Sequence, residues 1–357
     1  MLQIVIAVIG KVKPPLTTLV LALLALVLFT AGSAALSQAA EPLGVPDRED
    51  IEYPDDEPPS DAELELGKTL FFDPRLSGNN RLSCASCHNP DLGFGDGLAL
   101  GLGTQGNRLT RHTPHLYNLA WNTAFLWDGG AESLEEQVLE PIAARNEMSM
   151  PLDRLMVKLS RVPYYRNAFA KVYPEAGLIP ETIARAIAAF ERTLISDNSP
   201  FDRYMKGDPN AMSAAAIRGM KLFEGKANCI ACHSGPNFTN ESFHNLGLGD
   251  EDPARAAIVA DDTLRGAFKT PGLRNVLLTA PYMHDGSLAT LEAVVQFYNA
   301  GERKGATTSK LIKPLHLSET EIFDLVAFLG ALTDPVIVAR PEIPAGPDET
   351  ESDAKHQ

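Results

Sequence analysis

Cysteine is scarce in this chain: four in 357 residues, all of them in two short stretches, Cys84-Ala85-Ser86-Cys87-His88 and Cys229-Ile230-Ala231-Cys232-His233. None is left over for a disulfide elsewhere. Basic residues are also in deficit, with 31 Lys and Arg against 46 Asp and Glu and a formal charge of −15. Nucleic acid and anionic membrane surfaces are therefore poor partners, and a basic or dipolar protein surface is a suitable one. Removing the N-terminal segment, which holds Lys11 and Lys13 and no acid, takes −15 to −17. Long apolar runs are missing as well, since Leu16 to Phe29 is short for a membrane span.

What is present points first to the two pentapeptides. In C-x-x-C-H the thiols are spaced to form thioethers with the two vinyl groups of a haem, and the histidine that follows becomes the proximal iron ligand. A thioredoxin-like redox pair or a zinc ribbon uses the same cysteine spacing. Neither explains a histidine directly after both pairs, and Cys87 and Cys229 lie much further apart than the roughly 15–20 residues usual between zinc half-sites. Two c-type haems are expected, with His88 and His233 on the irons.

At 45% hydrophobic, with 27 Gly and 26 Pro, the chain is long enough for two cores and reads as mostly α, helices separated by long loops. Residues 1–40 have the pattern of an export signal, Lys11 and Lys13 ahead of an apolar run and small residues around Ser37-Gln38-Ala39. An uncleaved membrane anchor is the alternative, and either one puts the remainder in the periplasm, where bacterial haem attachment takes place. Residues 41–59, rich in Pro, Asp and Glu, read as a linker without a core of its own. Ser60 and Glu63 form a capping-box pattern ahead of Leu66 and Leu70, and Pro74 ends that helix. Ile183, Ile187, Phe190 and Leu194 share one stripe of a helix over 181–195, and Ser318 and Glu321 cap a helix with Ile322, Leu325, Val326 and Leu329 inward. From about 339 to 357 an acidic tail is expected to be mobile.

The pentapeptides sit in a longer internal repeat. Gly67-Lys68-Thr69-Leu70-Phe71 answers Gly219-Met220-Lys221-Leu222-Phe223, and Thr113 to Asn118 answers Thr270 to Asn275. Trp127-Asp128-Gly129 with Leu134-Glu135 answers His284-Asp285-Gly286 with Leu291-Glu292. The chain reads as a duplicated monohaem cytochrome, with an N-terminal domain over 60–205 and a C-terminal one over 206–338. The copies differ where the sixth iron position is decided. On the helix opening at Leu291, Val294, Val295 and Tyr298 face inward; the residue at the offset of Tyr298 in the first copy is Pro141, which has no ligand atom. Tyr298 is thus either an iron ligand or a packed helical tyrosine, and no methionine after Met283 competes with it.

Leu70-Phe71-Phe72-Asp73-Pro74-Arg75-Leu76-Ser77, Phe125-Leu126-Trp127-Asp128-Gly129 and Pro281-Tyr282-Met283-His284-Asp285-Gly286 resemble the bacterial dihaem cytochrome c peroxidase and MauG superfamily, over about residues 60–335. The resemblance implies two cytochrome c-like domains, a peroxidatic haem in the first, an electron-transfer haem in the second and a calcium ion between them. Trp127 matches the tryptophan between the haems, Gln137 and Glu147 the distal glutamine and glutamate of the peroxide-binding haem, Pro141 a distal proline of MauG, and Tyr298 the MauG axial tyrosine. Thr279 and Pro281 match backbone donors to calcium, while the third calcium position, an asparagine in the family, is His112 here. The loop 101–108 lacks the histidine that blocks the first haem in reductively activated members; Thr104 lies near that place. His112 or His115 reaching the iron is the alternative to an open site.

Peroxide heterolysis needs a proton moved from one oxygen to the other, a task for a glutamate in a partly apolar pocket; without the resemblance Glu147 would read as an exposed charge beside Arg145. Three functions follow. One is a peroxidase using H2O2 to oxidise a small cytochrome c or cupredoxin. The second is a MauG-type oxidase acting on a protein such as a methylamine dehydrogenase precursor, in tryptophan tryptophylquinone maturation. The third is a non-enzymatic electron-transfer cytochrome with two closed irons.

Overall fold

The Ser60 hydroxyl accepts from the Glu63 amide at 3.2 Å, and the helix Asp61–Phe72 begins there, burying Leu66 and Leu70 before Pro74 opens a tight turn. The chain is described by a computed structural model over residues 40–249 and 251–346. The export signal, its membrane-anchor alternative and the end of the acidic tail lie outside the described residues. Among those described, no helix is long and apolar enough to cross a membrane.

The fold is mostly helical; the strand pair Phe243–His244 and Phe268–Lys269 is short and antiparallel. Two helix pairs organise it. Asp61–Phe72 packs on Pro180–Glu191, and Ala214–Glu224 on Glu319–Gly330. Both crossings are close because a glycine stands at each: a Cβ on Gly67 would overlap the Ala186 carbonyl oxygen, and one on Gly219 the Asp324 carbonyl oxygen. Leu134–Ala143 lies against Pro180–Glu191, and Leu291–Ala300 against Glu319–Gly330. The stripe Ile183, Ile187, Phe190 and Leu194 is buried as expected, although the helix ends at Glu191 and tightens at Arg192 rather than running to 195. Ser318 and Glu321 do form a reciprocal cap, and Ile322, Leu325 and Leu329 are buried.

From Glu41 onward the chain forms one compact unit with two large hydrophobic clusters. The first takes side chains from Leu66 to Leu194, the second from Phe201 to Leu332. Two segments read as loose are held. In 41–59, Leu43 enters the second cluster, the Asp47 carbonyl accepts from Trp121 Nε1 at 3.0 Å, and Arg48 pairs with Asp197 at 2.8 Å. After the last helix, Val336 and Val338 pack on the first cluster, and Arg340, inside the segment expected to be mobile, donates to Asn89 at 3.0 Å and Asp91 at 2.6 Å. Isolated apolar residues between prolines carry no periodicity, so the sequence does not betray this docking.

One buried ion pair ties the second cluster together. Arg274 and Asp202, with side chains 1% and 0% exposed, meet at 2.9 Å, and Arg274 also donates to the Pro236 carbonyl at 2.8 Å and the Gly44 carbonyl at 3.1 Å. Arg274→Leu strands the Asp202 carboxylate and is expected to cost about 3–5 kcal/mol in denaturant unfolding of the haem-loaded protein. A loss of under about 1 kcal/mol, the scale of an exposed pair, would contradict this account of the pair.

Candidate functional site

Both C-x-x-C-H stretches fold into a single tight turn that presents the histidine. His88 closes the turn Cys84–Cys87 with its amide on the Cys84 carbonyl at 2.8 Å, and His233 does the same on Cys229 at 2.9 Å. Each ring is then fixed from behind. His88 Nδ1 lies 3.1 Å from the Phe94 carbonyl and His233 Nδ1 lies 2.9 Å from the Phe238 carbonyl; Pro114 and Pro271, from the two Thr-Pro motifs, supply a second backbone oxygen to each ring. A ring whose Nδ1–H is engaged in this way holds Nε2 as the lone-pair nitrogen, ready for a metal. Burial lowers the pKa of both, that of His233 to about 4, so neither ring is charged at neutral pH.

The four cysteines are unpaired, and burial pushes their thiols up, Cys87 to about 11 and Cys229 to about 12. A redox disulfide of the thioredoxin type needs the opposite shift. Among the described residues no group of three or more His, Cys, Asp or Glu is placed to hold a bare metal ion.

Around His233 lies a cavity with mainly apolar walls. Cys229 and Cys232 stand on one side, and Val294, Val295 and Tyr298 on the helix Leu291–Ala300 close another. Tyr298 is half-buried and close enough to both thiols for charge there to act on it; desolvation first, then Cys232 and Cys229, raises its pKa, and no hydrogen bond holds its hydroxyl among the described residues. Trp127 is in the same wall. Its Nε1 donates to the His112 carbonyl at 2.8 Å, on the loop that carries Pro114 behind His88, so its indole is linked to the surroundings of both histidines.

On the first side, Glu147 follows the helix Leu134–Ala143, which bears Gln137 and Pro141 one turn apart. Glu147 is mostly buried, its pKa raised by burial and then by Glu140, and it lies close enough to Cys87 to act on that thiol. The loop 101–108 is strapped to it: the Thr104 amide donates to the Glu147 carbonyl at 2.8 Å, and Asn107 donates to the Asn146 carbonyl at 2.8 Å. His115 has both ring nitrogens engaged, Nε2 with the Gly272 carbonyl at 3.1 Å and Nδ1 with the Tyr117 amide at 3.2 Å; His112 Nδ1 meets the Leu98 carbonyl at 2.8 Å. Thr279 is buried with its hydroxyl on the Val276 carbonyl.

The first matched relatives cover most of this chain. It is 45% identical over 83% of its length, and 85% of the relative's, to the methylamine utilization protein MauG of Methylorubrum extorquens. It is 40% identical over 91%, and 96% of the relative's length, to a cytochrome-c peroxidase of Denitromonas iodatirespirans. Residues 61–210 match the family model described as di-haem cytochrome c peroxidase. The chain belongs to the dihaem cytochrome c peroxidase and MauG family. Among solved structures, a MauG-like protein associated with microbial copper homeostasis superposes with a TM-score of 0.75 at 32% identity, covering 87% of this chain and 98% of that one. As a family member the chain is a dihaem oxidoreductase with two c-type haems, and the reduced thiols, braced imidazoles and apolar cavity described above fit that group.

Some neighbours of Trp127 are not apparent in the sequence. Phe268 stacks on His284 at 3.7 Å between ring centroids and meets Trp127 edge-on at 6.5 Å. Arg111 lies 5.5 Å over Phe268 and bridges Asp128 at 2.6 Å and Asp252 at 2.8 Å, and Arg255 donates to the Gly129 carbonyl at 2.8 Å. Arg111 and Phe268 both stand two residues before the threonine of their Thr-Pro motifs, and that shared place was the signal available.

Proposed function

We propose that this protein is a periplasmic, MauG-like dihaem peroxidase that uses H2O2 at an open N-terminal haem to oxidise a protein electron donor. The observation that carries the reading is the half-buried Tyr298, in the wall of the His233 cavity and without a hydrogen bond to its hydroxyl among the described residues, against Pro141 at the same offset beside the first site. With haem bound, a phenolate from Tyr298 would favour the oxidised form of the second iron, and Pro141, which has no ligand atom, would leave the first accessible.

Paired details support the duplication and two cytochrome c-like domains. Asn118 and Asn275 both adopt positive φ; their side chains bond the backbone of Ser196 and Asp334, and their amides donate to the Leu194 and Leu332 carbonyls. Phe125 bridges Ala131 as Tyr282 bridges Leu288. Cys84, Cys87 and His88 would hold one haem, and Cys229, Cys232, His233 and Tyr298 the other; when bound, they supply the redox chemistry that splits peroxide and shares its two oxidising equivalents. Glu147, whose pKa is raised by burial, takes a proton as carboxylate from one peroxide oxygen and returns it to the leaving one. Gln137 does not titrate and orients peroxide or water by hydrogen bonds. Trp127 relays electrons between the sites. The backbone oxygens of Thr279 and Pro281 are the proposed calcium donors, with His112 supplying no side-chain oxygen at the third place. The N-terminal export pattern supports the periplasm.

Mixing the resting ferric protein with H2O2 tests the reading. A spectral change is expected without prior reduction, and consumption of peroxide with a reduced small cytochrome or cupredoxin; a ferric protein inert to peroxide until it is reduced would refute the open site. The similarity to MauG together with Tyr298 favours one second reading, oxidation of aromatic side chains in a bound protein, for which a methylamine dehydrogenase precursor is the assay partner.

A further inference from the structure

The helix Pro180–Glu191 ends on a buried acid that the reading above does not use. Glu191 is 4% exposed, and its Oε2 has no hydrogen-bond partner. Its neighbour Arg192 is committed elsewhere, to Glu135 at 2.6 Å and 3.1 Å. The carboxylate lies close enough to Cys84 to raise that thiol's pKa. The groups that act on Glu191 are Arg192, on its own helix, and Glu135, on the helix packed against it. A buried acid without a cation costs several kcal/mol if ionised, so an apolar residue would be the stabler choice.

The second half makes that choice. Glu191 stands five residues after Ala186, where Gly67 crosses, and three before Leu194, whose carbonyl binds Asn118; Leu329 stands five after Asp324, where Gly219 crosses, and three before Leu332, whose carbonyl binds Asn275. Leu329 lines the His233 cavity. The register therefore puts an acid toward the first haem where a leucine faces the second.

We propose that Glu191 is a redox-linked proton site of the first haem, a positioning residue that binds one proton from solvent when that haem accepts one electron from the donor. The step balances as ferric haem with carboxylate, plus one electron and one proton, giving ferrous haem with carboxylic acid. This rests on the dihaem reading of the preceding section. Burial already holds the carboxyl up at about 8. Ferric haem carries one more positive charge than ferrous, so the proton is held more tightly after reduction, and reduction weakens as pH rises through that window.

The test is a redox titration of both haems from mildly acid to mildly alkaline pH in wild type, Glu191→Gln and Glu191→Asp. In wild type the reduction equilibrium of the first haem is expected to fall by up to about tenfold per pH unit. Glu191→Gln should remove most of that slope, Glu191→Asp should keep part of it, and the second haem, with Leu329 in the matching place, should be alike in all three. An unchanged first-haem slope in Glu191→Gln, or none in wild type, overturns the proposal. If Glu191→Gln loads haem poorly, the redox-difference infrared spectrum decides: a protonated-carboxyl band must appear on reduction and persist in Glu147→Gln, and its absence overturns the assignment. Haem content and ferric peroxide reactivity, measured on the same samples, show whether the dihaem reading has failed instead.

Discussion

Glu147→Gln is expected to load both haems normally and to lose about 10²–10⁴-fold in turnover with H2O2, the usual worth of a positioned acid-base group and about 3–5 kcal/mol of barrier. The argument is local. Glu147 is mostly buried, near Cys87, and its pKa is raised by burial and by Glu140. Its backbone is clamped by Thr104 and its neighbour's by Asn107, which fixes where the carboxyl stands. Glutamine keeps the shape but cannot take up and return the proton. The sign of the pH effect follows: the group that accepts the first proton must be ionised, so kcat/KM rises with pH through the raised pKa of Glu147, and that acid limb disappears in the glutamine variant. Turnover within a few-fold of wild type, with the limb intact, would mean that another group moves the proton.

Tyr298→Met is expected to convert the second haem from a His/Tyr to a His/Met centre, with a higher reduction potential and the spectrum that belongs to methionine ligation. Tyr298 has what a ligand needs: a place in the cavity wall, closeness to Cys229 and Cys232, and a hydroxyl with no other partner among the described residues. The first haem should be unaffected in its ligands, but oxidising equivalents made there would be shared less readily with a centre that resists oxidation. A second-haem spectrum and potential identical to wild type would leave Tyr298 as a packing residue.

Much of the core and of the cofactor chemistry is legible in the chain. The caps at Ser60 and Ser318, the buried stripe Ile183 to Leu194 and the doubled pentapeptides are local patterns, and local patterns survive folding. Tyr298, Val294 and Val295 do share the wall of one cavity, because helical spacing alone puts them on one face. What escapes the sequence is long-range. The stack of Phe268 on His284, with Arg111 above it, joins residues more than a hundred positions apart. The docking of Leu43 and of Val336 to Arg340 depends on single side chains in proline-rich segments without period. Glu191 was hidden for a different reason. A charged residue beside Phe190 reads as the solvent side of an amphipathic helix, and only the crossing at Gly67 and the packing of Leu134–Ala143 enclose it.

The central claim is that one haem is left open and the other is closed by a phenolate. Electron paramagnetic resonance combined with resonance Raman spectroscopy of the resting ferric protein tests it most directly. The account predicts one five-coordinate, high-spin haem and one six-coordinate haem with tyrosinate vibrations. Two six-coordinate haems with side-chain ligands on both irons, or the absence of any tyrosinate signature, would contradict it.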